Sequence, residues 1–316
     1  MGMTIRDLAK ACKVNASTVS RALRNDPRVK AETRDMILEL ARQHRYTPNI
    51  TARNLAAGKT NTIWLVLGSL DNDIERVPAR ILSDLLREYG YDLLLILHNN
   101  STAEFERIVG KLNQGITDGA LIIPPGYKSG KIIRFIEQLP IPLVFIDRWL
   151  PGVKTPAITS SNALCSEKLT RFCIDCGADV YVVAFGNSNT VADIRQKTAI
   201  DCLDKLELEY CTEMDAEFLR RHPHKSVALL SSTGIKSVRV PHQGFYDELA
   251  KHTVYGGFFD SWTYEDKEFF TRAMVCIQDF NSIAQTAADT IIKLLSGEIK
   301  PESSIICADA EKFIEL

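Results

Sequence analysis

The sequence predicts an α/β protein in two parts, a small helical head and a larger core built on parallel sheets. Three observations carry this reading. Residues 4–46 hold three short amphipathic segments at helical spacing, separated by polar breaks. From Thr62 onward, short apolar β-rich runs alternate with helical stretches. The charge is divided: residues 1–60 hold 12 Lys and Arg against 5 Asp and Glu, and the rest hold 26 against 35. Near-continuous apolar strands joined by helical crossovers imply parallel sheets covered on both faces. A basic head on an acidic body implies a nucleic-acid-binding module joined to something that is not one.

The head reads element by element. Thr4 and Asp7 form a capping pair that opens a helix carrying Ile5, Leu8, Ala9 and Cys12. Val14–Asn15 is a tight break, and Asn15 caps a second helix from Ala16 to Leu23 with Val19, Ala22 and Leu23 as its apolar members. Asn25–Asp26–Pro27 ends it. A third helix, about Ala31 to His44, buries Ile37, Leu40 and Ala41. Tyr46–Thr47–Pro48–Asn49 is a boundary, and Ile50 to Ala57 supplies one or two helical turns closed by Gly58. So short a helix is marginal alone in water and needs a partner.

In the core, strands are predicted at Ile63–Leu67, Tyr91–Leu97, Gly119–Ile123, Leu143–Asp147, Val180–Phe185, Val227–Ser231, Thr253–Phe258, Met274–Gln278 and Ile305–Cys307. Helices are predicted near 75–88, 102–113, 129–138, 163–176, 190–204, 234–251 and 281–296. Ligands of such sheets bind at the carboxyl ends of strands, at a topological switch point or between two such domains.

The composition, 45% hydrophobic and 25% charged over 316 residues, excludes disorder and coiled coil for the whole chain. The longest apolar runs, such as Leu93–Leu97 and Gly119–Pro125, fall far short of a membrane span. Residues 1–15 carry Arg6, Asp7, Lys10 and Lys13 with no apolar core or cleavage site, so a cytoplasmic protein without a signal peptide is expected. The eight cysteines are scattered, as for reduced buried thiols. Cys173 and Cys176 have redox or half-zinc spacing, but no second pair lies at a suitable distance.

The first 60 residues resemble the N-terminus of the LacI/GalR family of bacterial transcription regulators. The matching residues are Thr4–Ile5–Arg6–Asp7–Leu8–Ala9, Val14 through Leu23, Asn25–Asp26–Pro27–Arg28–Val29, Glu32–Thr33–Arg34, Tyr46–Thr47–Pro48–Asn49 and Ala52–Arg53–Asn54–Leu55. The rest of the chain resembles the family less tightly, at Gly90–Tyr91, Thr117 to Ile122, Pro142 to Arg148, Gly257 to Asp260 and Ala287–Ala288. The resemblance implies a three-helix helix-turn-helix head (residues 1–47), a hinge helix and linker (48–60), and a periplasmic-binding-protein-like core of two doubly wound parallel-sheet subdomains (61–316). It places the N-subdomain at about 61–157 plus 279–304 and the C-subdomain at about 158–278 plus 305–316.

The physical chemistry of the head fits this. A recognition helix puts its N-terminal side chains into the major groove and keeps its rear apolar. Here Ala16, Ser17 and Ser20 are expected to face out, and Arg21 has the fork suited to guanine. Thr4, Asn15, Thr18, Asn25 and Thr33 stand near helix starts and suit phosphates. By resemblance, Asn49, Ala52 and Leu55 belong to a hinge helix that pairs across a dimer and presses a leucine into the minor groove, kinking the duplex.

The resemblance also implies a sugar- or nucleobase-type effector between the subdomains. Carried over by position, its contacts are Asn72, Asp73, Asp147, Arg195, Ser231, Asp260, Gln278 and Phe280. Arg195 suits a hydroxyl pair or a carboxylate. Trp149, Trp262 and Tyr264 are candidate stacking surfaces, with core or rim positions as the alternative. The sensor half departs from the family at four places. Gln196–Lys197–Thr198–Ala199 lacks the usual glycine and aromatic, Ala228 to Gly234 lacks the usual acidic residue, and Gly257–Phe258–Phe259–Asp260 delays the family's aspartate by one residue. A stretch usual between residues 246 and 254 is trimmed. An atypical effector and a reduced response both remain open.

The expected function is a regulator, a repressor by preference, that binds palindromic operator DNA as a homodimer gated by a small carbohydrate-type ligand. The chain stops at Leu316 with no heptad tail, which favours a dimer. No cofactor, metal or membrane partner is expected. Nor is catalysis, since there is no glycine-rich phosphate loop, nucleophile elbow or His–Glu metal cluster. A protein co-effector in place of the small ligand is the standing alternative.

Overall fold

The computed structural model describes residues 3–46, 58–126, 130–186, 189–232, 242–260, 264–308 and 311–316. The chain divides into two compact units, Met1–Thr60 and Asn61–Leu316.

In the first unit, α1 (Ile5–Ala11), α2 (Ala16–Ala22) and α3 (Ala31–Gln43) pack around Leu8, Val19, Ala22 and Ile37, each fully buried. Two helices of 7 residues would not persist alone, so this shared apolar centre sustains them. The expected hinge helix, with Asn49, Ala52 and Leu55, lies outside the described residues.

The second unit holds two six-stranded sheets. Sheet one contains β1 (Thr62–Leu67), β2 (Asp92–Leu97), β3 (Gly119–Ile122), β4 (Leu143–Ile146), β5 (Ala157–Thr159) and β11 (Ile305–Cys307), in the order β11-β5-β4-β3-β1-β2 and parallel throughout. Sheet two contains β6 (Val180–Ala184), β7 (Tyr210–Cys211), β8 (Val227–Ser231), β9 (Val254–Phe259), β10 (Arg272–Ile277) and β12 (Lys312–Glu315), in the order β12-β10-β9-β8-β6-β7. Only β12 runs antiparallel to its neighbour. The helices are α4 (Asp73–Glu88), α5 (Thr102–Lys111), α6 (Gly130–Glu137), α7 (Asn162–Asp175), α8 (Thr190–Asp204), α9 (Ala216–Arg220), α10 (Gln243–Leu249), α11 (Tyr264–Phe269) and α12 (Phe280–Ser296).

Each sheet carries apolar clusters on both faces, as its unbroken strands require. On sheet one, Leu65, Leu67 and Val144 pack with Leu82 and Leu86 of α4 and Ala287, Ala288 and Ile291 of α12, while Val66 and Phe145 pack with Phe105 and Ile108 of α5. On sheet two, Val182 and Leu229 pack with Tyr246 and Leu249 of α10, and Val183 and Leu230 with Leu169 of α7 and Ala199 of α8. All eight cysteines are free thiols, four of them buried.

The chain passes between the sheets three times: after β5, after β10 and after β11. This corrects the expected division at residues 304 and 305. Ile305–Cys307 had been assigned to the second half, but it pairs with Ala157–Thr159 at the edge of sheet one. The second half regains the chain only at β12. Three strands, β5, β7 and β12, were not anticipated. They are 3, 2 and 4 residues long, too short for a period to show. The helix expected over 234–251 is described only as α10, because residues 233–241 lie outside the described residues.

Candidate functional site

The head's candidate DNA face centres on α2. Ser17 and Arg21 are exposed on it, and Val19 and Ala22 are buried behind them. Thr18 and Ser20 are half-buried. Ala16 was expected to face out, but it is half-buried and packs on the head's apolar centre. Ser17, the next residue, is the exposed one. Asn15 occupies the cap position with extended backbone, yet its side chain makes no cap bond and stands exposed. Its amide is therefore available for a phosphate.

Thr4 is committed differently. Its hydroxyl accepts the Asp7 N–H at 3.3 Å and donates to Asp7 Oδ2 at 2.6 Å, while its own N–H donates to the same carboxylate at 3.0 Å. These bonds hold the Asp7 carboxyl below its ordinary range. Thr4 thus sets the start of α1 before it touches anything else. Asn25 is exposed with φ +55°, a left-handed residue that turns the chain after α2. Next to it the Arg28 guanidinium grips Asp26, Nε to Oδ1 at 3.0 Å and Nη2 to Oδ2 at 2.7 Å, and pulls that carboxyl far below its usual range. Arg28 is thereby occupied, while Arg21, whose charge also acts on Asp26, stands exposed. Thr33 is half-buried in the first turn of α3.

In the core, the candidate ligand groups converge from strand ends that are far apart in sequence. Asp147 follows β4 with φ +63° and 8% exposure, its N–H donating to the Ile158 carbonyl at 2.8 Å. Arg148 lies between two carboxylates, with Nε 3.4 Å from Asp147 and Nη2 3.4 Å from Glu75. Glu75 is 2% exposed and ties down the turn after β1, accepting the N–H groups of Gly68 at 3.2 Å and Ser69 at 2.6 Å. A Cβ on Gly68 would sit 2.6 Å from Asn100 Oδ1 and 2.9 Å from Glu75 Oε1, so a larger residue there would displace the Glu75 carboxylate or the Asn100 amide.

Arg195 comes from α8. It is 3% exposed, with its guanidinium carbon 3.5 Å above the Phe259 ring centre. Its Nε donates to Asn162 Oδ1 at 2.8 Å. Its Nη2 is buried with no hydrogen-bond partner among the described residues. Burial lowers its pKa, and the charges of Asp147 and Asp260 oppose the shift. Asp260 follows β9 with φ +60° and accepts the N–H of Gln278 at 3.1 Å and its Nε2 at 2.5 Å. Burial pushes the Asp260 carboxyl up to about 6 against the pull of Arg195. Gln278, 3% exposed, also accepts the Ser160 hydroxyl at 2.5 Å.

The structure therefore brings together Asp147, Arg195, Asp260 and Gln278. Ser231 is buried at the end of β8, paired in register with Phe258. Asn72 and Asp73 stand at the exposed rim: Asn72 accepts the Glu75 N–H as the cap of α4, and Asp73 pairs with Arg76. Phe280 starts α12 and packs against the sheet-one core. Trp149 packs on the other sheet-one cluster, Tyr264 is 72% exposed, and Trp262 lies outside the described residues. Sequence reasoning missed Glu75, Ser160, Asn162 and Thr190. Thr190 bridges the two halves, accepting the Trp149 N–H at 3.2 Å and donating to its carbonyl at 3.3 Å. The available signal was position, since each stands at or next to a strand end or a helix start.

Two carboxylates and a half-used guanidinium can accept from and donate to a compact hydroxyl-bearing ligand.

Comparison with known proteins follows the same division. Residues 4–49 match the model of bacterial regulatory proteins of the lacI family. The chain is 28% identical over 316 residues to the HTH-type transcriptional regulator MalR of Staphylococcus xylosus, covering 96% of this chain and 90% of that protein. In structure it is similar to the lac repressor dimer bound to operator and the anti-inducer ONPF, with a TM-score of 0.78 at 16% identity, covering 99% and 98% of the two chains. A complex of the transcriptional regulator CelR with cellobiose aligns with a TM-score of 0.64 at 18% identity, also over 99% and 98%. At these identities the structural likeness establishes the fold, a helix-turn-helix head followed by an α/β core of two parallel-dominated sheets.

Proposed function

Since this chain belongs to the lacI family of bacterial regulatory proteins, which are DNA-binding transcription regulators, we propose that it is a repressor that binds a palindromic operator as a homodimer and is gated by an uncharged carbohydrate-type ligand between its two sheets. The observation that carries the ligand reading is the buried, unpartnered Arg195 Nη2 flanked by Asp147 and Asp260. A buried charged N–H without an acceptor is costly, and a ligand hydroxyl would satisfy it. Arg148 is already paired with Glu75 and Asp147, so among the described residues it adds no free cation beside Arg195, which favours an uncharged ligand over a phosphate. The solved complex of the similar CelR with cellobiose supports the choice of ligand class.

The homodimer is supported by β2. It is an edge strand of sequence Asp-Leu-Leu-Leu-Ile-Leu, and Leu94, Leu95 and Leu97 are 45%, 40% and 37% exposed. A strand this apolar belongs to a covered sheet edge. Leu95→Asp is expected to give monomers by sedimentation. In the DNA-bound dimer, Ser17 and Arg21 read bases, Asn15, Thr18 and Asn25 contact phosphates, and Leu55, with Asn49 and Ala52, forms the paired hinge. The test of gating is calorimetry of the full chain with cellobiose and related uncharged disaccharides. Binding that disappears in Arg195→Ala supports the reading. Silence toward every sugar, with binding to a protein from the same cell, points to a protein co-effector.

A further inference from the structure

Two side chains that touch the candidate ligand groups also hold the connections between the sheets. Asn162 is 4% exposed and is the first residue of α7, directly after the passage that leaves β5. Its amide orientation is fixed, because Nδ2 donates to Thr159 Oγ1 at 2.9 Å and to the Ser160 carbonyl at 3.0 Å, which leaves Oδ1 for Arg195. Gln278 lies in the second passage, between β10 and α12, and spans from Ser160 to Asp260. Its amide oxygen and its amide nitrogen each hold one of these bonds, so the side chain ties the second passage to the first and to Asp260. The third passage joins at the neighbouring residue, where the Ser161 N–H donates to Glu311 Oε1 at 2.7 Å. A hydrogen-bonded chain therefore runs from Arg195 through Asn162, Ser160 and Gln278 to Asp260, with a side branch to Glu311.

We propose that Ser160, Asn162 and Gln278 are positioning residues that bind the ligand groups Arg195 and Asp260 to all three passages, so that a ligand engaging either group is felt at every connection between the sheets at once. Ser160, Asn162 and Gln278 are each at most 4% exposed, so water does not compete for these bonds. Independent connections would each be satisfied within their own strand ends, whereas here Ser160–Gln278 and Ser161–Glu311 join different passages, and Asn162–Arg195 and Gln278–Asp260 join a passage to a ligand group. The Asn162 bonds to Thr159 and Ser160 close the first passage on itself. The proposal rests on reading the cleft as the effector site, but its test needs no effector.

The test is residue-resolved amide hydrogen exchange of the full, ligand-free chain. In Ser160→Ala, the Gln278 amide, 118 residues away, is expected to exchange about fivefold faster or more, the loss of roughly one net hydrogen bond. In Gln278→Leu, the Ser161 and Asn162 amides are expected to accelerate in turn. Ser160→Thr, which restores the hydroxyl, is expected to return the Gln278 amide to its original rate, a rescue that mere loosening would not give. Unchanged exchange at Gln278 in Ser160→Ala, with acceleration confined to residues 159–163, would overturn the proposal. Should Gln278→Leu fail to fold, the Ser160 pair decides alone. If the coupling is found and no sugar binds, the effector reading fails and the relay stands; if sugar binds through Arg195 and the coupling is missing, the relay alone fails.

Discussion

In the head, the groups proposed to meet DNA stand outside. Ser17 and Arg21 are exposed on a helix of 7 residues, with every neighbour they need within a few positions of sequence. In the core, Arg195 and Asp147 are 3% and 8% exposed and come from opposite halves, held in place by residues such as Glu75, Ser160 and Asn162 that the resemblance did not mark as ligand contacts. The difference follows from the partners. DNA is a large polyanion that is approached from outside, and much of the affinity comes from exposed cations. A small neutral ligand offers few contacts, so its site must be dry and already arranged before it arrives.

The largest effect that separates the two units is salt. With 12 basic residues against 5 acidic in residues 1–60, operator affinity should fall about 10³-fold or more between 50 and 200 mM salt, for roughly six phosphate contacts or more. Ligand affinity should stay within about twofold over the same range, because the core site pairs its charges internally. Parallel filter-binding and calorimetric titrations check this, and equal slopes would erase the contrast. Next come two substitutions with opposite outcomes. Arg21→Ala should weaken operator binding by about 1–3 kcal/mol and leave ligand affinity alone. Arg195→Ala should cost about 1.5–3 kcal/mol of ligand affinity, roughly 10- to 150-fold, and spare ligand-free operator binding.

A pH effect belongs to the core alone. The Asp260 carboxyl is raised from 3.8 to about 6 by burial, so the folded chain holds this proton more tightly than the unfolded chain does. Its contribution is fully favourable below about pH 4 and is lost as pH rises through about 6. The loss is on the order of 2 kcal/mol, because the side chain keeps some solvent access. Urea titrations of wild type and Asp260→Asn between pH 4.5 and 7.5 should differ in slope, with the variant flatter. Parallel slopes would show that the carboxyl ionises as freely folded as unfolded. The smallest effect belongs to the head. Thr4→Ala removes both hydroxyl bonds of the cap on α1, leaves the backbone N–H bond to Asp7 in place, and should cost about 1 kcal/mol of head stability, read as a lowered head transition with the core transition unmoved.

Legibility in the sequence follows the same division. The Thr4–Asp7 cap, the apolar face of α2 and the long covered strands could be read because their causes are local: a cap spans three residues, and a strand declares itself by five or six apolar positions in a row. β5, β7 and β12 could not, because each is defined by its neighbour and not by its own period. The move of Ile305–Cys307 into sheet one is a matter of which edge is vacant, which no local pattern carries. Within the site, Arg195, Asp147 and Asp260 were reached by resemblance and do converge. Asn72 and Asp73 were reached in the same way and stand on the rim, where the cap of α4 and the pair with Arg76 occupy them. Asn162 and Ser160 show why the rest was hidden. A buried polar side chain that joins distant segments has no sequence signature, since the partners of these two lie 33 and 118 residues away.

The central claim is that one buried guanidinium couples an uncharged ligand in the core to DNA held by the head. The direct measurement is fluorescence anisotropy of an operator selected from random duplexes, titrated with cellobiose and related disaccharides against wild type and Arg195→Ala. The account predicts that both proteins bind the operator equally without sugar, that a sugar releases it from wild type, and that Arg195→Ala stays bound at concentrations at least tenfold higher. Release of both proteins at the same sugar concentration, or of neither, would contradict it.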